Sequence, residues 1–132
     1  MSPSRPSATE TTLGEQFARA LAARDAAALR GVLAARVDFA ALTPGRHWTA
    51  SDPAEIVGDV VLGRWFGADD RIRELCSVTT GRVADREHVA YRLRVHRDGA
   101  DHLVEQQAYY TVRDGGIDWL RVLCSGYRPL PG

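Results

Sequence analysis

A sheet does chemistry where polar side chains replace apolar ones. The stretch His102–Gly126 (HLVEQQAYYTVRDGGIDWLRVLCSG) places Gln106 and Arg121 inside otherwise apolar strand patterns. A guanidinium among apolar strands costs several kcal/mol unless it is paired or solvated. Arg121 therefore has two readings. It is a structural ion pair with Asp38 or Asp59, or it holds an anionic or carbonyl group in a pocket, with Gln106 and Tyr91 orienting that group. In the second reading Tyr110, Trp119 and Trp65 wall the pocket, and Trp48 and His102 lie at its edge. A general acid or base would come from His47, His102, Tyr91, Asp38 or Asp59, with His47 in GRHWT the leading imidazole. The candidate catalytic set is Arg121, Tyr91 and His47; the candidate binding set is Gln106, Tyr110, Trp119, Trp65, Trp48 and His102.

Other chemistries are excluded by residue type. The 132 residues contain no Lys and no Asn, which removes Schiff-base and P-loop lysine chemistry and N-glycosylation. The histidines at 47, 88, 96 and 102 have no metal-ligand spacing, and GxSxG and GxGxxG are absent. No metal or cofactor is expected. Seventeen basic residues balance seventeen acidic ones, so no bulk field recruits nucleic acid or an anionic membrane. Cys76 and Cys124 lack CxxC spacing and read as free buried thiols of a reducing cytosol. No apolar run approaches the ~20 residues that span a bilayer. The expectation is a soluble cytoplasmic protein, and the Arg-, Ala- and Gly-rich composition suggests a bacterial, GC-rich source.

The elements that must position these residues follow from periodicity and punctuation. Residues 1–11, rich in Ser, Pro and Thr, read as a disordered leader, and 12–132 as one domain. Thr12 and Glu15 have capping-box spacing before a helix reaching about Ala23, and Asp25 caps a second through AAALRGVLA. VDFAALTPGRHWT reads as a short hairpin about Pro44-Gly45. Asp52, Pro53 and Glu55 then open a third helix carrying Ile56, Val57, Val60, Val61 and Trp65 on one stripe. From Ile72 onward four strands are expected, Ile72–Ala84, His88–His96, His102–Val112 and Ile117–Ser125, the last three joined by Asp-Gly turns. Helices, a small β element and a long antiparallel meander make an α+β order.

Fixing the turns at Asp98-Gly99 and Asp114-Gly115 fixes the register, because strand side chains alternate faces. Leu93 then meets Val104, Tyr91 meets Gln106, His96 meets Asp101 and Arg92 meets Glu105. In the second hairpin Tyr110 meets Trp119, Ala108 meets Arg121 and Gln106 meets Leu123. Arg121 and Trp119 thereby point inward. Tyr109, Leu120, Val122 and Cys124 form an outer apolar patch, the expected contact of a homodimer.

The helical opening LGEQFARALAARDAAALRGVLAARVDF, the turn-and-helix segment and the ending YYTVRDGGIDWLRVLCSG resemble the nuclear transport factor 2-like superfamily. The closer likeness is to its SnoaL-like group of polyketide cyclases, ketosteroid isomerases and limonene epoxide hydrolases. The resemblance implies a cone-shaped α+β barrel, with N-terminal helices on a curved, mainly antiparallel sheet. It also implies a pocket for a small hydrophobic molecule and frequent homodimers through the outer sheet face. Cofactor-independent acid/base chemistry of isomerase, cyclase, dehydratase or epoxide hydrolase type is the enzymatic expectation, and a non-catalytic binding or dimerisation module of the same fold is the alternative. Two positions depart from the named mechanisms. The strand position resembling the isomerases' second acid is Ala108, and Asp101, Glu105 and Asp118, which would flank Arg121 in an Asp-Arg-Asp relay, face outward.

Overall fold

The computed structural model describes residues 11–131, so the expected leader lies outside it except for Thr11. Helix α1 (Leu13–Ala22) starts where Thr12 Oγ1 accepts the Glu15 N–H at 3.1 Å, and it buries Phe17, Ala18 and Leu21. Asp25 accepts the Ala28 N–H at 3.0 Å and opens α2 (Ala26–Gly31). Helix α2 stops short of the expected AAALRGVLA, because Gly31 and β-branched Val32 are poor helix formers. Leu33 already belongs to β1 (Leu33–Thr43), which the turn at Pro44-Gly45 returns as β2 (Arg46–Ala50).

The third helix begins as its sequence predicts and winds differently. Asp52 Oδ1 accepts the Glu55 N–H at 2.9 Å, and Glu55 Oε1 reaches back to the Ser51 N–H at 3.2 Å. From Glu55 to Trp65 the chain is a π-helix, burying Ile56, Val57, Val60, Val61 and Trp65. The i→i+5 winding brings Gly63 against the Gly58 carbonyl oxygen so closely that a Cβ at Gly63 would stand 2.6 Å from it. Only glycine fits there.

Four long strands follow, β3 (Arg71–Val83), β4 (Arg86–Arg97), β5 (Ala100–Arg113) and β6 (Gly116–Cys124), with a short β7 (Arg128–Pro129). They form a sheet of order β2-β1-β6-β5-β4-β3, parallel between β1 and β6 and antiparallel elsewhere, with β7 on β5. Helix α1 packs on β3 and β4, and α2 on the π-helix and β1. Between helices and sheet lie Leu21, Leu29, Phe39, Ile56, Leu93, Ile117 and Leu120. Tyr110 ties the two layers together, its hydroxyl accepting the Gly14 N–H at 2.8 Å. Among the described residues no helix is long and apolar enough to cross a membrane.

The β4–β5 hairpin has the expected register, with Arg97 opposite Ala100, Leu93 opposite Val104 and Tyr91 opposite Gln106. Its outer face carries the expected pairs, His96 with Asp101 at 2.8 Å and Arg92 with Glu105 at 2.7 Å. The β5–β6 hairpin starts as expected, with Val112 opposite Ile117, and then slips by one residue: Thr111 pairs with Trp119, Tyr109 with Arg121, Ala108 with Val122 and Gln106 with Cys124. Asp118 is the extra residue, a β-bulge in which Thr111 Oγ1 donates to Asp118 Oδ1 at 2.6 Å. A one-residue slip exchanges the two faces of a strand. Trp119 and Arg121 therefore lie on the outer face, while Leu120 and Val122 are 1% exposed and belong to the core. This corrects both the inward Arg121 and the outer patch of Leu120, Val122 and Cys124; of that set only Tyr109 faces out. Both thiols are free, but Cys76 is exposed rather than buried.

Candidate functional site

The bulge turns Cys124 inward beside Gln106, and the chain beyond it folds back so that Tyr127 faces the end of the π-helix. Together these elements line a half-open cavity of about 390 Å³. Its wall is largely aromatic and apolar: Trp48 from β2, Trp65 and Phe66 from the π-helix end, Val104 from β5, and Tyr127. Trp48 and Trp65 meet edge to face with centroids 6.2 Å apart, and the Trp48 Nε1–H is held by Thr43 Oγ1 at 2.8 Å.

Two donors stand out in this wall. Tyr91 donates to Gln106 Oε1 at 2.6 Å, which fixes the amide and leaves its Nε2 buried without a protein acceptor among the described residues; Trp65 Nε1 is in the same condition. A buried N–H left unpaired costs about 1–3 kcal/mol, and both of these belong to residues that line the cavity.

Among the described residues one carboxylate is buried, Asp70, and it is committed elsewhere. Asp70, 7% exposed, takes Arg97 Nε and Nη2 at 2.8 and 2.7 Å and the Gly67 N–H at 2.9 Å. The Arg97 hydrogen bonds hold its carboxyl below the usual carboxylate range, against the opposing pull of burial. Arg97 stacks 3.5 Å from the centre of the Tyr127 ring, and Tyr127 donates to the Trp65 carbonyl at 2.7 Å. Asp70, Arg97 and Tyr127 therefore form a clamp on Trp65. Burial raises the Tyr91 and Tyr127 hydroxyls well above the ordinary phenol range, so near neutral pH both are donors and neither is a base.

No family model matches the chain, and no curated protein does. Solved structures do match. A nuclear transport factor 2-like protein of Burkholderia thailandensis superposes with a TM-score of 0.66 at 14% identity, over 86% of this chain and 88% of its own. A candidate polyketide cyclase of Pseudomonas putida gives 0.62 at 15% identity, over 85% and 90%. A Mycobacterium tuberculosis epoxide hydrolase of the limonene epoxide hydrolase-like kind gives 0.61 at 13% identity, over 86% and 80%. The chain has the nuclear transport factor 2-like fold. At these identities the likeness establishes architecture only.

Within the nuclear transport factor 2-like cone, the structure divides the residues singled out from the sequence. Gln106, Trp65 and Trp48 line the cavity. Tyr91 stands behind Gln106 and orients it, whereas Tyr110 is consumed by α1 and does not line the cavity. His102 sits outside, its ring edge-on to Tyr127 at 5.8 Å. Arg121, Trp119 and His47 are on the outer side of the sheet. Arg121 bonds Asp38 Oδ1 at 3.0 Å and the Asp38 carbonyl at 2.8 Å, so the structural ion pair is the alternative that forms. With His47 it lines an open groove of about 1490 Å³ along β1. That groove runs over a wet outer face on which Arg121 is already neutralised, so it offers a ligand less than the cavity does.

Sequence reasoning missed Arg64, Phe66, Arg97, Cys124 and Tyr127 in the nuclear transport factor 2-like cavity. Cys124 had a signal: in Leu120, Val122 and Cys124 an apolar alternation excludes Arg121, and burying that set satisfies every side chain. Tyr127 and Arg97 had none, because a coil residue and the last residue of β4 meet there only through tertiary folding. Among the described residues no three His, Cys, Asp or Glu come together as a metal-binding group.

Proposed function

We propose that the chain binds a small, mainly apolar molecule in the Trp48–Trp65–Tyr127 cavity, and that one acceptor oxygen of that molecule takes hydrogen bonds from Gln106 Nε2 and Trp65 Nε1. The observation that carries this reading is that two residues lining one aromatic cavity, Gln106 and Trp65, each carry a buried, unpartnered N–H donor. Binding rather than turnover is favoured, because Asp70 is neutralised by Arg97 and the nearby phenols are donors only. The epoxide hydrolase and the candidate cyclase among the structural neighbours support a second reading, cofactor-independent acid/base chemistry at the same cavity. In that case the donors polarise a carbonyl or epoxide oxygen, and the base must come from the ligand or from solvent.

Titration of the tryptophan fluorescence with 2-acetylnaphthalene and with 2-ethylnaphthalene tests the reading, since the two differ only in the acceptor. The ketone should bind the more tightly, by about fivefold to tenfold for a pair of neutral hydrogen bonds in an apolar cavity. Equal affinities, or no binding of either, would reject the proposal.

A second copy of the chain is proposed to cover the outer face, through residues other than those expected from the sequence. Leu42 and Leu123 are directly opposite each other across β1 and β6, and they are 53% and 46% exposed. Tyr109 lies on the same face. Adjacent exposed leucines in a sheet centre are a feature that association removes.

A further inference from the structure

Two of the three tryptophans are each flanked by a pair of arginines, and the two pairs differ in one respect. Trp119, on the outer face, has Arg86 and Arg121 at 4.3 and 4.4 Å from its ring centre. Both of those guanidiniums are neutralised, Arg86 by Asp85 at 2.9 Å and Arg121 by Asp38 at 3.0 Å. Trp48, in the cavity wall, has Arg46 and Arg64 at 3.8 and 5.5 Å from its ring centre. Neither forms an ion pair with any described residue. The cavity lining holds Arg64 and Arg97 and no carboxylate, and Arg46 stands outside it on the Trp48 ring; Arg97 is matched by Asp70, and Arg64 is not.

From this contrast we infer that the rim of the cavity at Trp48 is an anion subsite, and that the ligand is a carboxylate, phosphate or sulfonate with an apolar body. The inference rests on the reading of the cavity as a ligand site and adds the charge of the ligand to it. The anionic end lies between Arg46 and Arg64, the body runs inward along Trp48 and Trp65, and the acceptor oxygen reaches Gln106. Arginine suits this work, because its planar fork gives paired hydrogen bonds to an oxyanion while the same plane rests on an aromatic ring. The flat Trp48 ring, locked through Nε1 to Thr43, holds the nearer guanidinium in place without spending its N–H groups. Uncompensated positive charge at the mouth of a cavity also raises the local concentration of anions and speeds their capture.

The test compares 2-acetylnaphthalene with 6-acetyl-2-naphthoate, which has the same body and ketone and adds a carboxylate at the far end. In low salt the carboxylate should bind about tenfold tighter, the scale of charge-assisted hydrogen bonding, and added sodium chloride should erode the advantage. The double variant Arg46→Gln/Arg64→Gln should abolish the advantage, each protein's own affinity for the neutral ketone being the reference. Arg86→Gln/Arg121→Gln, around the balanced Trp119, should leave the advantage intact. All four side chains are at least partly exposed, and melting temperatures verify that each variant folds. If the ketone binds and the carboxylate adds nothing, or if the advantage survives in Arg46→Gln/Arg64→Gln, the anion subsite is refuted and the cavity reading stands. If neither compound binds, both fall.

Discussion

Tyr91 Oη and Gln106 Oε1 are 2.6 Å apart at the buried centre of the β4–β5 hairpin, and this bond determines which end of the amide is spare. Removing one partner leaves the other buried and unpaired, whereas removing both restores an apolar contact. Tyr91→Phe and Gln106→Met should each cost about 1–2 kcal/mol, and the double variant less than their sum by about 1 kcal/mol. Denaturant unfolding of the four proteins measures the coupling, and strict additivity would show that the bond contributes nothing.

The Asp70–Arg97 pair should set the acid limb of stability. Because hydrogen bonds from Arg97 depress the Asp70 carboxyl in the folded state, its contribution is fully present above the unfolded carboxylate value, about pH 4, and is lost as pH falls through the lower folded value. Asp70→Asn should lower stability at pH 7 by about 2 kcal/mol, Arg97 being partly exposed, and should flatten the decline below pH 4. Melting temperatures of both proteins between pH 2 and pH 7 decide it; parallel curves would mean that another carboxylate governs the acid limb.

Deleting Asp118 should leave the register of the last strand as it is. Asp118→Ala loses one partly buried hydrogen bond to Thr111, about 1 kcal/mol, and keeps the bulge. Deletion would close the bulge and leave Thr111 opposite Trp119, Tyr109 opposite Arg121 and Ala108 opposite Val122, so Arg121 stays outside and Leu120 and Val122 stay in the core. Far-ultraviolet circular dichroism should show both proteins folded, and an unfolded deletion variant would mean that the bulge itself is required.

On the outer face, Leu123→Asp should turn a dimer into a monomer in sedimentation velocity, with little change in monomer stability. Val122→Asp, one residue earlier, should unfold the chain, because Val122 is in the core. A Leu123→Asp protein that sediments like the parent would remove the proposed interface.

The limits of the sequence lie in the last strand. The Asp-Gly turn at Asp98-Gly99 fixed a whole hairpin correctly, since both turn residues adopt the positive φ such a turn demands and the strands beyond are regular. The same signal at Asp114-Gly115 held for one pair beyond the turn and then misled, because the turn residues do not announce a bulge further along the strand. Magnitudes contained the warning. Keeping the regular register would have buried Arg121 at a cost of several kcal/mol, while one unpaired strand residue costs far less. The candidate site suffered accordingly: Trp48, Trp65 and Gln106 were legible from stripes and alternation, while Arg64, Phe66, Arg97 and the residues beyond the bulge were not.

The glycine contact in the π-helix reaches as far as the ligand. Gly58 and Gly63 hold a winding one residue wider than an α-helix, and the indole of Trp65 stands at the end of that coil. Each residue of an α-helix turns the chain by about 100°, so relaxation of this segment to the narrower coil would swing the indole N–H off the cavity wall without altering any residue that touches the ligand. Recognition here is thus hostage to helical pitch, and Gly63→Ala would alter affinity from a position that meets no guest.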